Sequence, residues 1–176
     1  MKYVLIIILS SLIIACNNED NPTYQPINQD YSGIKDTLVR INISLLETEK
    51  ERIKAYIKRR KWNMTETESG LFIEIFEKGN GQKAEKDLTG KIKFRLELLD
   101  GTYCYSSDSL GIKTLKLGHN SSETGLNEGL LMMQEGDKAR LILMPHLAYG
   151  LLGDFERIPA RAILVYYIEL VELIDF

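Results

Sequence analysis

Few residues of this chain are spaced for covalent or metal-assisted chemistry. Its two histidines, His119 and His146, have no companions at metal-ligand spacing, so we expect no metal site. No serine has a base pattern around it that would indicate acyl transfer. No glycine-rich phosphate loop is recognisable, and we expect no cofactor. These absences leave hydrolysis by a catalytic triad or by a bound metal ion unsupported, but they do not count against an enzyme of another kind.

Three segments between Met133 and Glu169 carry the strongest pattern in the chain. They are Met133–Leu141, Leu147–Gly150 and Ile158–Leu164, and an apolar strand follows them. Their order, spacing and residue types resemble the C-terminal half of the FKBP-type peptidyl-prolyl cis-trans isomerases. The resemblance covers about residues 84–174. It implies an α+β fold in which a curved antiparallel sheet wraps one short helix.

The activity that this resemblance implies is rotation about X–Pro peptide bonds. Such a rotamase needs no nucleophile, metal or acid–base pair, because the barrier is the partial double bond of the amide, roughly 18–20 kcal/mol. An apolar aromatic pocket withdraws water from the amide carbonyl and lowers the cost of twisting, while a few donors hold the carbonyl oxygen. The implied partners are proline-containing polypeptides.

The resemblance also implies site residues, position by position. Tyr149, in Ala-Tyr-Gly, matches the tyrosine whose hydroxyl donates to a bound carbonyl. Ile158 matches a substrate-binding residue that lines the pocket and offers its backbone N–H. Tyr166 matches an aromatic wall on the last strand, and Phe94 stands where the first strand usually carries a tyrosine. Taken singly, Tyr149 could cap a turn, and Phe94 and Tyr166 could be plain core residues.

The opposite wall departs from the family pattern. Cys104 and Tyr105 stand where a phenylalanine and an aspartate are usual, and Leu126 replaces a tryptophan. We still predict that these three residues contact substrate. Lys113 replaces a usually aromatic wall residue, and Glu123 lies where an apolar pair is usual. These changes favour an alternative function, a catalytically degenerate FKBP domain that acts as a chaperone or as a binding module of an envelope complex.

The elements that must position these residues follow from apolar periodicity. Lys91–Leu98 alternates apolar and charged residues, which predicts a half-buried antiparallel strand. Residues 163–174 predict the longest strand, and 71–77 predict a strand that packs on the domain. One helix is predicted to begin after an N-cap at Thr124 and to end near Gly136. It carries an apolar stripe of Leu126, Leu130 and Met133.

The N-terminus predicts export and attachment to a membrane. Residues 1–15 have Lys2 and a short apolar run, which is typical of a signal peptide. The run ends Leu-Ile-Ile-Ala-Cys, which resembles a bacterial lipobox and predicts lipid attachment at Cys16. Plain secretion with cleavage near Ala15, an uncleaved anchor and a Cys16–Cys104 disulfide are the alternatives. We expect the protein in the bacterial cell envelope, on a periplasmic or cell-surface face.

Two further segments precede the domain. Residues 16–34 are polar and predict a flexible tether, and residues 35–64 predict a helical extension. Within it, Leu46, Ile53 and Ile57 share a face, and this face of residues 46–61 predicts a possible homodimer. This plan is similar to that of gliding-motility-associated lipoprotein isomerases. The net charge of −3 excludes a strong basic field, so we expect no nucleic-acid partner.

Overall fold

Seven antiparallel strands form one sheet in this computed structural model, which describes residues 32–119 and 123–175. The strands are β1 (Thr65–Glu66), β2 (Phe72–Glu77), β3 (Thr89–Leu98), β4 (Tyr103–Ser106), β5 (Lys113–Lys116), β6 (Lys138–Leu143) and β7 (Leu164–Ile174). Their order is β1-β2-β6-β7-β3-β4, and β5 also pairs with β3. The predicted signal segment, Cys16 and most of the predicted tether lie outside the described residues.

Three helices and one turn of 3₁₀-helix accompany the sheet. They are α1 (Ser32–Arg60), α2 (Ser107–Leu110), α3 (Thr124–Leu131) and the 3₁₀ turn Pro145–Leu147. The chain divides into two units between Val39 and Arg40, and every contact described below belongs to the second unit. No helix within the described residues is long and apolar enough to cross a bilayer.

The central pair of strands is β3 with β7. They pair from Thr89 opposite Ile174 to Leu98 opposite Leu164, with one irregularity in register next to Lys91. The predicted alternation of β3 is confirmed as far as Leu96, because Ile92, Phe94 and Leu96 are buried. It is wrong at the end of the strand, where Glu97 is buried and Leu98 is only partly buried. This pair brings aromatic residues of both strands to the same face of the sheet.

The strand beside β3 is interrupted. Strand β4 pairs with the end of β3 and β5 pairs with its beginning, while α2 lies between them in sequence. At the interruption the Ser107 hydroxyl accepts a hydrogen bond from the Phe94 backbone N–H at 2.9 Å. A side chain therefore satisfies a β3 donor that a continuous neighbouring strand would otherwise satisfy. Tyr105 on β4 and Lys113 on β5 come to the same edge of the sheet.

Helix α3 covers one face of the sheet at close range. Its predicted apolar stripe is confirmed, since Leu126, Leu130 and the following Met133 are buried in the core. Gly129 permits this approach, because a Cβ there would lie 2.7 Å from Leu141 Cδ1. The predicted ends are wrong. The N-cap position is Glu123, which makes no capping bond with its side chain, and the helix ends at Leu131, before Gly136.

The C-terminal half of α1 covers the other face of the sheet. Ile53 and Tyr56 are buried there with Ile142 and Val165, and Trp62 packs at the margin. The predicted apolar face is therefore shifted, because Leu46 is exposed. Since this face packs against the sheet, it is not available to pair with a second copy of the chain. The predicted α+β architecture with a helical extension is confirmed.

Candidate functional site

A cavity of about 450 Å³ opens between β3, the interrupted edge strand and the loop that follows the 3₁₀ turn. We call it the aromatic pocket. Its walls are Phe94, Leu96, Tyr105, Leu110, Gly111, Ile112, Lys113, Tyr149, Asp154, Glu156 and Tyr166. It is the size of a site for a short peptide segment or another small ligand, with apolar walls and a few polar groups.

Two rings from the central strands form the deepest part of the aromatic pocket. The ring centroids of Phe94 and Tyr166 are 6.1 Å apart, with a tilt of 49° between the planes. Both side chains are buried, and Lys113 Nζ lies 5.8 Å from the Phe94 ring centroid. The pairing of β3 with β7 fixes these rings, so the apolar wall is rigidly held.

A buried carboxylate lies beside these rings. Glu123, just before α3, is only 5% exposed. Its carboxylate accepts a hydrogen bond from the Tyr166 hydroxyl and pairs with the Lys113 ammonium group. Burial, and then the charge of Glu123, raise the pKa values of Tyr149 and Tyr166 above the usual range, so both phenols stay neutral donors at physiological pH.

A second carboxylate organises the loop on the other side of the pocket. Asp154 Oδ1 accepts from the backbone N–H groups of Glu156 at 2.9 Å and Ile158 at 2.7 Å. Its Oδ2 accepts from the Tyr105 hydroxyl at 2.5 Å. Burial acts to raise the pKa of Asp154, but these hydrogen bonds hold it below the usual value. The hydrogen bond between the Tyr105 hydroxyl and Asp154, together with burial, raises the pKa of Tyr105 to about 12.

The comparison with known proteins decides what kind of domain this is. A family model described as FKBP-type peptidyl-prolyl cis-trans isomerase matches residues 80–171. The chain belongs to this family. Its FKBP domain therefore accounts for β3 to β6, nearly all of β7 and the aromatic pocket, while α1, β1 and β2 lie outside the matched residues.

Curated relatives resemble the FKBP domain rather than the whole chain. The inactive peptidyl-prolyl cis-trans isomerase FKBP6 of Mus musculus is 31% identical over 108 residues, which are 60% of this chain and 33% of that protein. The peptidyl-prolyl cis-trans isomerase FKBP9 of Rattus norvegicus is 41% identical over 87 residues, 48% of this chain and 15% of that protein. The chain thus spans a third or less of the length of these relatives.

Solved structures agree on the FKBP fold. The N-terminal domain of FKBP42 from Arabidopsis thaliana superposes with a TM-score of 0.60 at 24% identity, and covers 64% of this chain and 93% of that one. The crystal structure of AtFKBP13 gives a TM-score of 0.59 at 26% identity, with 62% and 98% covered. The fold of the FKBP domain is therefore shared almost throughout the length of those chains.

The structure brings together four of the seven residues predicted for the site. Phe94, Tyr105, Tyr149 and Tyr166 all line the aromatic pocket. The other three, Cys104, Leu126 and Ile158, are buried in the core and are not among its lining residues. Ile158 also does not offer its N–H to a ligand, because that group already donates to Asp154.

Sequence reasoning missed the acidic and apolar residues at the mouth of the pocket. Asp154 and Glu156 lie on the loop after Tyr149. Leu110 and Ile112 lie at the end of α2 and between α2 and β5. The Gly153-Asp154 pair is a usual turn signal, which could have indicated a carboxylate bonded to nearby backbone N–H groups. No comparable signal marks Leu110 or Ile112.

Proposed function

We propose that this FKBP domain catalyses cis–trans isomerisation of X–Pro bonds in secreted or envelope proteins. The observation that carries the proposal is the Tyr149 hydroxyl, a neutral donor beside the apolar rings of Phe94 and Tyr166. A bound X–Pro carbonyl in such surroundings loses water, which favours the less polar twisted amide, while the phenol holds its oxygen. The family includes relatives described as isomerases and as inactive isomerases, so these pocket residues are the relevant support.

A proline-limited refolding assay on the full chain in detergent tests this proposal. We expect acceleration over buffer, and a loss of about tenfold in kcat/KM in Tyr149→Phe, which is the rate equivalent of one hydrogen bond. Tyr166→Ala should lose more, because it also opens the apolar wall. Tyr103→Phe, on the same sheet edge but outside the pocket, is the matched control. A wild-type rate equal to buffer would rule out the enzyme.

The second candidate function is binding of unfolded chains without rate enhancement. It is favoured by exposed apolar side chains near the pocket residues: Leu110, Ile112, Leu151, Leu152 and Phe155. Phe155 is 84% exposed on the loop that joins Tyr149 to Ile158. The test unfolds a model protein in the presence of the full chain and measures light scattering, which reports aggregation. Binding by the chain should suppress this scattering. Phe155→Ser should weaken this suppression, and an unchanged curve would argue against it.

We also propose that Cys16 carries the lipid that holds the protein in a bacterial envelope membrane. Cys104 is the matched comparison, because its thiol is fully buried and burial raises its pKa. Labelling of cells with an alkyne fatty acid should mark the wild-type chain and Cys104→Ser, and should not mark Cys16→Ser. Equal labelling of all three chains would remove the proposal.

The face of residues 46–61 predicted for a homodimer packs against the sheet, whereas apolar residues of α1 that precede this face are exposed. Ile41 and Leu45 lie about one turn apart and are exposed. We propose that a second copy of the chain covers them. Sedimentation of full-chain Cys16→Ser should give a dimer, and Ile41→Glu with Leu45→Glu should convert it to a monomer. A monomer in both samples would contradict this interface.

A further inference from the structure

A side chain of α1 is bonded to the loop that carries Tyr149. This loop, residues 148–163, joins the 3₁₀ turn to β7, and we call it the Tyr149 loop. Near its end, Arg161 Nη2 donates to Glu49 Oε1 of α1 at 2.6 Å. The side chain of Glu49 is 9% exposed and that of Arg161 is 35% exposed. The carboxylate is therefore largely shielded from water, and solvent weakens this ion pair less than an exposed one.

Arg161 has a backbone conformation that its residue type rarely adopts. Its φ is +56°, in the left-handed region, where a residue with a side chain is strained. Such a conformation persists only where the surrounding contacts fix it. The Arg161 side chain pairs with Glu49, and its backbone N–H donates to the Gly150 carbonyl at 3.1 Å. Arg161 thus connects α1 to the residue that directly follows Tyr149.

A cavity of about 300 Å³ lies between α1 and the Tyr149 loop. Leu46 and Glu49 line it from α1, and Gly150, Leu151 and Arg161 line it from the loop. Leu46 and Leu151 are both exposed, so apolar packing does not close this part of the contact. The ion pair between Glu49 and Arg161 spans the two sides of the cavity, and it is therefore suited to fix the distance between the helix and the loop.

We propose that Glu49 is a positioning residue, which holds the Tyr149 loop through Arg161 and so fixes the Tyr149 hydroxyl in the aromatic pocket. Glu49 itself does not line that pocket. It also lies outside residues 80–171, which match the FKBP family, so the proposal gives the helical extension a part in the geometry of the site. Its effect on the rate rests on the proposed function, in which Tyr149 donates to the substrate carbonyl.

Loss of the ion pair should act on the rate through Tyr149. A displaced donor makes a weaker hydrogen bond, so Glu49→Ala should lower kcat/KM by about three- to tenfold, and by no more than Tyr149→Phe does. In a Tyr149→Phe background the hydroxyl is already absent, so Glu49→Ala should lower kcat/KM by less than about twofold there. A residue that merely supported the fold would give the same loss in both backgrounds.

The proline-limited refolding assay on the full chain in detergent measures these rates. Glu66→Ala is the matched control, because it removes the ion pairs that Lys50 and Lys54 of the same helix make with β1, and kcat/KM should stay within about twofold of wild type. Glu49→Gln keeps an acceptor for Arg161 but loses the charge, and such a bond is about half as strong. It should lie between wild type and Glu49→Ala, and it carries the test if Glu49→Ala does not fold.

A second measurement does not depend on activity. NMR of the full chain with isotope-labelled tyrosine rings reports the surroundings of Tyr149, whose signal is the one missing from Tyr149→Phe. We expect this signal to shift in Glu49→Ala, to shift less in Glu49→Gln, and to keep its place in Glu66→Ala.

The outcomes separate this inference from the proposed function. With an active wild-type chain, the inference is overturned if Glu49→Ala leaves kcat/KM or the Tyr149 signal unchanged, or if its loss is as large in the Tyr149→Phe background; the isomerase then stands. A wild-type chain no faster than buffer removes the proposed function, and the NMR signal alone decides. A shifted Tyr149 signal in Glu49→Ala then supports the positioning of Tyr149 by Glu49, and an unmoved signal overturns it.

Discussion

The two walls of the aromatic pocket are built in different ways. The wall on the loop after Tyr149 is held by one carboxylate, Asp154, which bonds mainly to backbone N–H groups of its own loop. The wall that contains Tyr166 and Lys113 is held by Glu123, just before α3, which bonds to both of these side chains. The first wall therefore depends on local chain geometry, and the second depends on a network that spans β5, β7 and α3.

The pocket also contains residue types that depart from the family pattern. Phe94 lacks the hydroxyl that the family usually has at its position, but Tyr166 supplies a hydroxyl on the neighbouring strand. Tyr105 stands where an aspartate is usual, and Glu123 supplies a carboxylate from α3. The pocket therefore contains a phenol bonded to a carboxylate, Tyr166 with Glu123.

Among the substitutions that test the difference between the two walls, Asp154→Ala should have the largest effect on stability. Three donors lose their acceptor, among them the buried Ile158 N–H, so we expect a loss of about 3 kcal/mol in the free energy of unfolding. Urea unfolding followed by fluorescence measures it. Asp100→Ala is the control, because Asp100 accepts from Thr102 N–H on an exposed turn, and it should cost under about 1 kcal/mol. Equal losses would mean that Asp154 does not hold its wall.

Gly129→Ala tests how closely α3, the helix that follows Glu123, approaches the sheet. The added Cβ would lie 2.7 Å from Leu141 Cδ1, and such overpacking costs about 2 kcal/mol. Gly90→Ala on β3 is the control, because its added Cβ would meet Leu117 at an ordinary 3.5 Å. Thermal unfolding of both variants gives the comparison. A stable Gly129→Ala protein would show that α3 can move away from β6 at little cost.

Tyr105→Phe removes a hydroxyl that bonds to Asp154 in the first wall, and has the smallest expected effect, about 1 kcal/mol. The pH dependence is more specific. The pKa of Tyr105 is raised from 10.0 to about 12 in the folded protein. A raised pKa stabilises the fold below the unfolded value and loses that contribution as pH rises through the folded value. The unfolding free energy should fall between about pH 10 and pH 12, and less steeply in Tyr105→Phe. Identical slopes would exclude this link.

Much of the FKBP domain could be predicted from the sequence, because its strands and α3 have clear apolar periods. The pocket residues of β3, β4 and β7 followed from resemblance and are brought together by strand pairing. Ile158 and Cys104 lie in the core and do not line the aromatic pocket, since position in a motif does not distinguish a buried core residue from one that lines a cavity.

Two features could not be obtained from local patterns. The short elements β4, α2 and β5 are set by pairing with β3 and by the Ser107 bond, which have no periodic signal. The direction of the Glu123 side chain is set by Tyr166 and Lys113, which are 43 and 10 residues away in sequence. Such a partner outweighs the ordinary preference of an N-cap side chain for its own helix.

The interrupted strand beside β3 has a consequence for how the protein behaves among other chains. A long unpaired strand edge is a template onto which foreign strands add, and this leads to aggregation. Here one edge of the sheet is the two-residue β1, and the other is split between β4 and β5 by α2. A protein that handles unfolded polypeptides, as we propose, meets such strands continually. Because the strand beside β3 is interrupted at Ser107, the chains that the protein binds find little continuous edge onto which they could add as strands.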